Sequence, residues 1–275
     1  MGASDRPVAA GRKLPADIGL PSQLYAAMQL GAALELLASR TRLVEIDSFG
    51  LHTMLSRSNR RAACESGLAF TVHGPYGCDF DPGNVDESGR RAVVEEHRRH
   101  AEAAGDIGAL CYVVHPDRRL KAGSQNPAVL TALLRTFSDL EEAQRDCGVR
   151  IAIENLPGRG LSHLTGPGDI ELGALGLALD CGHAAITGTL EAFLADPRAE
   201  VVHVHLHSNA GACEPDDPHR PLGEGIVDAA PVLEFARAAG ATVILEHDDE
   251  EAVRASIVHL ESRGLLEQRE DGACR

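Results

Sequence analysis

Short apolar or β-branched runs recur along the chain, and each is followed by a stretch whose apolar residues return every three or four positions. In order, the runs are 17–20 (DIGL), 42–46 (RLVEI), 69–73 (AFTVH), 109–115 (ALCYVVH), 150–154 (RIAIE), 176–180 (GLALD), 201–206 (VVHVHL) and 242–246 (TVILE). Each predicts a strand. Helical spacing predicts helices over 22–39, 53–66, 88–104, 127–146, 163–174, 189–195, 228–239 and 250–263, with Ser22 and Asp228 as capping residues.

Eight strands alternating with eight helices, with no linker or repeat between them, predict the α/β class and a single (β/α)8 TIM barrel over 14–263. Residues 1–13 and 264–275 read as flexible tails. Right-handed crossovers bring the C-terminal end of every strand to one face. A doubly wound open sheet is the competing arrangement, but it normally places a G-x-G-x-x-G loop after the first strand, and DIGLPSQL is not one.

Chemistry enters at the strand ends. The third strand closes on His73, the fourth on His115, the fifth on Glu154, the sixth on Asp180 with His183 following, the seventh on His205, and the eighth on Glu246. A barrel places its active-site residues there. One such residue is readily a hydrogen-bonded strand cap, but six consecutive strands ending this way call for a shared partner. Imidazoles and carboxylates converging in a buried ring cost several kcal/mol each without a counter-charge, roughly, and divalent cations remove that cost.

The polar stretch 205–225 (HLHSNAGACEPDDPHRPLGEG) adds Asp217 and His219, two residues apart around Pro218, so that both can turn toward one ion. Gly223 and Gly225 let the backbone pass close to the site. His203, His205 and His207 share one strand face, and the ligand is His205 by motif order or His207. The set His73, His115, Glu154, Asp180, His183, His205, Asp217, His219 and Glu246, five imidazoles and four carboxylates with no thiolate, suits zinc first, with manganese or iron as alternatives. Nine donors are too many for one ion, which sets the cofactor expectation at two or three divalent metal ions.

These motifs, in the order VHGPY, VVHPD, IAIEN, LALDCGH, HLHSN, DPHRPLGEG and VILEH, resemble the xylose isomerase-like TIM barrels, a superfamily that includes sugar phosphate isomerases/epimerases and endonuclease IV-type AP endonucleases. The resemblance covers roughly 15–262 and implies the trinuclear zinc set of the endonuclease IV branch on the nine residues above. In the mononuclear isomerases and epimerases it would reduce to Glu154, Asp180, His205 and Glu246, with Glu154 and Glu246 as the acid/base pair. Two departures stand against the endonuclease pattern: DSFGLHTML lacks an aromatic and basic insert after the second strand, and Ser208 stands where that branch tends to carry Asp.

Composition narrows the substrate. With 26 basic and 41 acidic residues the net charge is −15, which repels a nucleic-acid backbone, and nine aromatics without Trp are few for stacking bases. Arg118, Arg119 and Lys121 after His115, Arg159 after Glu154 and Arg220 after His219 place basic residues on the presumed active face, with Arg220, Arg159, Asn155 and Tyr76 as substrate-binding candidates. His52, His97, His100, His163, His247 and His259 read as surface or helix-face residues without a role. Seven scattered cysteines without a C-x-x-C pair fit reduced thiols in a cytoplasm, and no run is long enough to span a membrane.

The function expected from the sequence is a cytoplasmic, metal-dependent enzyme acting on a small sugar phosphate or phosphoester, with hydrolysis by a metal-activated water placed ahead of isomerisation or epimerisation through Glu154 and Glu246. An endonuclease IV-like enzyme and a non-catalytic, metal-stabilised binding module are the remaining alternatives.

Overall fold

The computed structural model describes residues 13–117, 126–157, 162–214 and 216–266. Eight parallel strands close in chain order into a barrel: β1 Ile18–Pro21, β2 Leu43–Asp47, β3 Ala69–His73, β4 Cys111–Val114, β5 Arg150–Glu154, β6 Gly176–Asp180, β7 Val201–Leu206 and β8 Thr242–Leu245, with β1 pairing both β2 and β8. The helices are α1 Leu30–Ala38, α2 Arg57–Ser66, α3 Glu87–Asp106, α4 Pro127–Cys147, α5 Cys181–Thr187, α6 Leu190–Ala195, α7 Ala229–Ala239 and α8 Glu250–Ser262. None of them is long and apolar enough to cross a membrane.

The strand period of two sorts side chains between two environments. Val44, Ile46, Phe70, Val72, Tyr112, Val114, Ile151, Ile153, Leu177 and Leu179 point outward and are buried in the main apolar core with the helices. The inward positions are small or polar: Cys111, Val113, Ala152 and Ala178 form a separate cluster, which leaves the barrel axis free for Glu45, Thr71, His203 and His205. At the β6–β7 pair Leu177 faces Val201 while Ala178 faces His203, so Val202 is an extra residue and both His203 and His205 turn inward.

Three helix expectations change. The segment 22–39 divides into a 3-10 turn at Ser22–Tyr25 and α1, and Ser22 is not a cap: its buried hydroxyl accepts from the Asp47 N–H (3.1 Å) and pairs with His52 Nδ1 (3.0 Å). The helix expected over 163–174 is absent among the described residues. Pro167 and the left-handed Gly168 (φ 81°) and Gly173 (φ 61°) interrupt it, while the Asp169 carboxylate takes the N–H groups of Thr165 and Gly166 into a turn. In compensation α5 starts directly after β6, because Asp180 accepts from the His183 N–H (2.6 Å) as its N-cap. Asp228 caps α7 as expected, accepting from the Ala230 N–H.

Five histidines expected on the surface or on helix faces are buried: His52, His97, His100, His163 and His247. Each has a polar partner, including Tyr112 on His97 (2.9 Å), Ser48 on His100 (2.8 Å), Asp117 on His163 (2.8 Å) and Ser256 on His247 (2.7 Å). Burial disfavours charge on four of these rings, lowering His52 and His100, His97 to about 3 and His247 to about 4.

Candidate metal centre

All nine expected donors meet at the C-terminal mouth of the barrel. His73 Nε2 and His115 Nε2 each lie 3.2 Å from Glu154 Oε2, and His183 Nδ1 lies 3.3 Å from Glu154 Oε1. His205 Nδ1 is 3.2 Å from Glu246 Oε2, 3.6 Å from Glu154 Oε2 and 3.7 Å from Asp180 Oδ2. His183 Nε2 reaches Asp217 Oδ2 at 3.3 Å, and the His207 and His219 rings stand 4.4 Å apart. Ligands sharing one tetrahedral ion at bond lengths of about 2.0–2.1 Å are themselves about 3.3–3.4 Å apart, which is the spacing of most of these pairs. Several triads bring their donor atoms within 4.8 Å of one another, among them His73–His115–Glu154, Glu154–Asp180–His205 and His207–Asp217–His219.

The residues fit divalent cations on a second ground. His205 Nδ1, His207 Nδ1, Asp217 Oδ2 and Glu246 Oε2 are buried atoms without a hydrogen-bond partner. Each such orphan costs about 1–3 kcal/mol, and all four point into the cluster. In the metal-free chain, protons supply the compensation. Burial disfavours charge on His73, but its hydrogen bond to Glu154 and that group's charge raise it to about 9. Burial likewise opposes charge on His183 and His219, yet Asp180 with Glu154 lifts the first to about 10, and Asp248 with Glu246 lifts the second to about 9. Burial pushes the Glu154 carboxyl up, and the charges of His115 and His205 overcome it and hold the group well below the usual range.

The loop after β7 delivers Asp217 and His219 with strained backbone: their φ values of 45° and 43° are left-handed, a region that costs a side-chain-bearing residue about 1 kcal/mol or more. Asn209 Nδ2 donates to Asp217 Oδ1 (2.8 Å), and Asp248 pairs with His219 Nδ1 (3.3 Å). Gly225 packs against Ser208 and the Asn209 backbone so closely that a Cβ there would lie 2.7 Å from the Asn209 nitrogen.

The inward Glu45 of β2 was not singled out in the sequence. Fully inside the barrel, it accepts from His205 Nε2 (2.9 Å) and Thr71 Oγ1 (3.1 Å) and lies 2.9 Å from His203 Nε2. His205 is thereby fixed with Nδ1 toward Glu154, Asp180 and Glu246, the carboxylate–histidine arrangement that orients metal ligands. The available signal was a charge at an inward position of the apolar strand RLVEI.

The substrate-binding candidates fare differently. Tyr76 stands over His73 and His115 (ring centroids 5.4 and 5.0 Å) at the rim of a cavity of about 150 Å³ lined by Pro21, Gln23, Asp47, Glu154 and Glu246 among others. Asn155 is fully buried and spends its amide on the backbone of Asp180, donating to its oxygen (2.9 Å) and accepting from its N–H (2.8 Å), so it ties β5 to β6. Arg220 is turned away to Glu214, pairing through Nε at 2.8 and 2.9 Å. Arg159, Arg118, Arg119 and Lys121 lie outside the described residues.

A family model described as xylose isomerase-like TIM barrel matches residues 32–263. The chain belongs to this family. Two Methanocaldococcus jannaschii proteins, named as uncharacterized proteins MJ1311 and MJ1614, are similar to it. The first is 31% identical over 184 residues, 63% of this chain and 61% of MJ1311; the second is 30% identical over 197 residues, 70% of this chain and 76% of MJ1614. The chain therefore spans less than two thirds of MJ1311. Among solved structures, a D-tagatose 3-epimerase-like protein superimposes with a TM-score of 0.77 at 27% identity, over 90% of this chain and 97% of that one. The Escherichia coli 3-keto-D-glucoside 4-epimerase YcjR (TM-score 0.74, 20% identity, 90% and 100% covered) shares the fold. So does the IolI protein, solved with a zinc atom (0.72, 17%, 91% and 99%). Sugar epimerases and a zinc-bound protein thus share this architecture.

Proposed function

We propose that the chain is a divalent-metal-dependent isomerase or epimerase of a small, uncharged sugar, with Glu154 and Glu246 as the acid/base pair. The observation that carries this reading is that both glutamates border one cavity of about 150 Å³ whose lining holds Gln23, Asp47 and Tyr76 but no lysine or arginine among the described residues. Hydroxyl groups suit such walls better than a phosphate does, and the one described arginine near the mouth on the β7 loop is held by Glu214. The similarity to a D-tagatose 3-epimerase-like protein supports the same substrate class.

A bound divalent ion would polarise the substrate carbonyl and the neighbouring hydroxyl, acidifying the C–H bond between them. Glu154, held ionised among four imidazoles, and Glu246, with its unpartnered Oε2, flank the cavity as proton acceptor and donor. One carboxylate takes the proton from carbon; the other returns one to the opposite face, inverting the centre, or to the adjacent carbon, moving the carbonyl. Tyr76 and Gln23 orient hydroxyls at the rim.

The test is proton NMR of neutral ketoses and aldoses incubated with metal-loaded protein in D₂O. Epimer or isomer formation with deuterium at the inverted carbon is expected, and Glu154→Gln and Glu246→Gln should each lose at least ~100-fold in rate. Near-normal turnover in both variants would remove the pair from the mechanism.

A second reading, phosphoester hydrolysis, draws support from Glu154 standing between His73 and His115 on one side and Asp180 and His205 on the other, an arrangement suited to more than one ion. Phosphate release from sugar phosphates, with no deuterium exchange into any neutral sugar, would put it first.

A further inference from the structure

His207 has no part in the acid/base chemistry of Glu154 and Glu246, so its role is independent of the reading above. Its ring is fully buried, and Nδ1 has no hydrogen-bond partner. That nitrogen lies 3.6 Å from Asp217 Oδ1, and the His207, Asp217 and His219 donors fall within 4.8 Å of one another. The opposite ring nitrogen, Nε2, is 3.2 Å from both Asp180 oxygens. A proton held there by the carboxylate leaves Nδ1 as the lone-pair nitrogen, aimed at Asp217.

Room for this ring is made by a glycine. Gly182, in α5, has no left-handed backbone to explain it; a Cβ built on it would sit 2.5 Å from His207 Nδ1 and 2.7 Å from Nε2. The same face of the cluster holds His183 Nε2, 3.3 Å from Asp217 Oδ2, and His219, whose Nδ1 is taken by Asp248 so that Nε2 is free. Two left-handed non-glycine positions in one loop, Asp217 and His219, carry donor atoms that lie within 4.8 Å of one another and of a His207 nitrogen.

We propose that His207 Nδ1 is a ligand of a separate ion held with His183, Asp217 and His219, and that Gly182 is the vacancy that admits it. Three imidazoles and one carboxylate fill a tetrahedral shell completely. A closed shell of this kind makes the ion structural. It pins the strained β7–α7 loop across the end of β6, while the open positions that chemistry needs remain at Glu154, Asp180, His205 and Glu246.

The experiment loads the metal-free full chain with Zn²⁺ alone and measures bound zinc by mass spectrometry and affinity by calorimetry, for the wild type, His207→Asn, Gly182→Ala and the double variant. Expected is the loss of about one equivalent, or a fall of at least ~10-fold in the affinity of one site, in each single variant. The double variant should be no worse than either single one, because both changes remove the same ligand. Unchanged stoichiometry and affinity in folded His207→Asn would overturn the proposal. Should the variants fail to fold, the wild type decides: with ¹⁵N-labelled histidine, His207 Nδ1 should shift to a metal-bound position on saturation with zinc. A His207 Nδ1 resonance that stays at its metal-free position would overturn it.

Discussion

Glu45 decides which nitrogen of His205 faces the centre, although it is not among the expected donors. By accepting from Nε2 it holds a proton there and turns Nδ1 toward Glu154, Asp180 and Glu246, the nitrogen whose proton a metal would displace. Burial raises its carboxyl, and the charges of His205 and His203 overcome this to hold it well below the usual carboxylate range. Glu45→Gln keeps the volume but offers an amide N–H that can turn the imidazole to its other tautomer, with Nδ1 protonated and closed to a metal. Metal affinity should fall about 10–100-fold with the fold intact, as measured by competition with a zinc indicator and by circular dichroism. Affinity equal to wild type would reduce Glu45 to a packing residue. Its place was hard to read from sequence: a lone Glu in RLVEI is equally a solvent-facing strand residue, and only pairing across the barrel to His203 and His205 gives it a partner.

At the scale of elements, strands were legible because short β-branched runs leave little choice, and because ligand-type residues sit at one end of six of them. The convergence of the expected donors on one mouth was legible for the same positional reason at the six strand ends, and from the polar stretch after β7 for Asp217 and His219. Segments governed by side-chain caps were not. Asp180 looks like the last residue of a strand and is also the first cap of α5, while Gly166, Pro167, Gly168 and Gly173 break what apolar spacing suggested was a helix. Within β1, Gly19 is required by close approach alone: a Cβ would meet the Leu43 oxygen at 2.5 Å and Ile244 Cδ1 at 2.7 Å. Gly19→Ala should therefore cost about 1–3 kcal/mol through overpacking against β2 and β8, seen as a lower urea midpoint. A midpoint at or above wild type would show that β1 can move outward freely.

For the whole molecule, the centre links stability to pH. His73, His183 and His219 keep their protons to about 9, 10 and 9 in the metal-free chain, against about 6.5 unfolded. Raised folded values stabilise fully below about pH 6.5, and this is lost as pH climbs through the folded values. The Tm of metal-free protein should thus decline between pH 7 and 10. Zinc has to displace the same protons, so its affinity should climb over that window; calorimetry in buffers of different ionisation enthalpy would count the protons released. A flat apo Tm together with pH-independent affinity would contradict both. The Glu45–His205 contact joins residues 160 positions apart, and the Glu154–Asp180–His205 triad draws on three successive strands. A growing or refolding chain therefore presents isolated imidazoles until the ring shuts, and only then a tight trap. With an ion held as proposed, capture would act as a checkpoint on completion: in stopped-flow refolding with a zinc indicator, tight uptake at this triad should coincide with the last folding phase instead of preceding it.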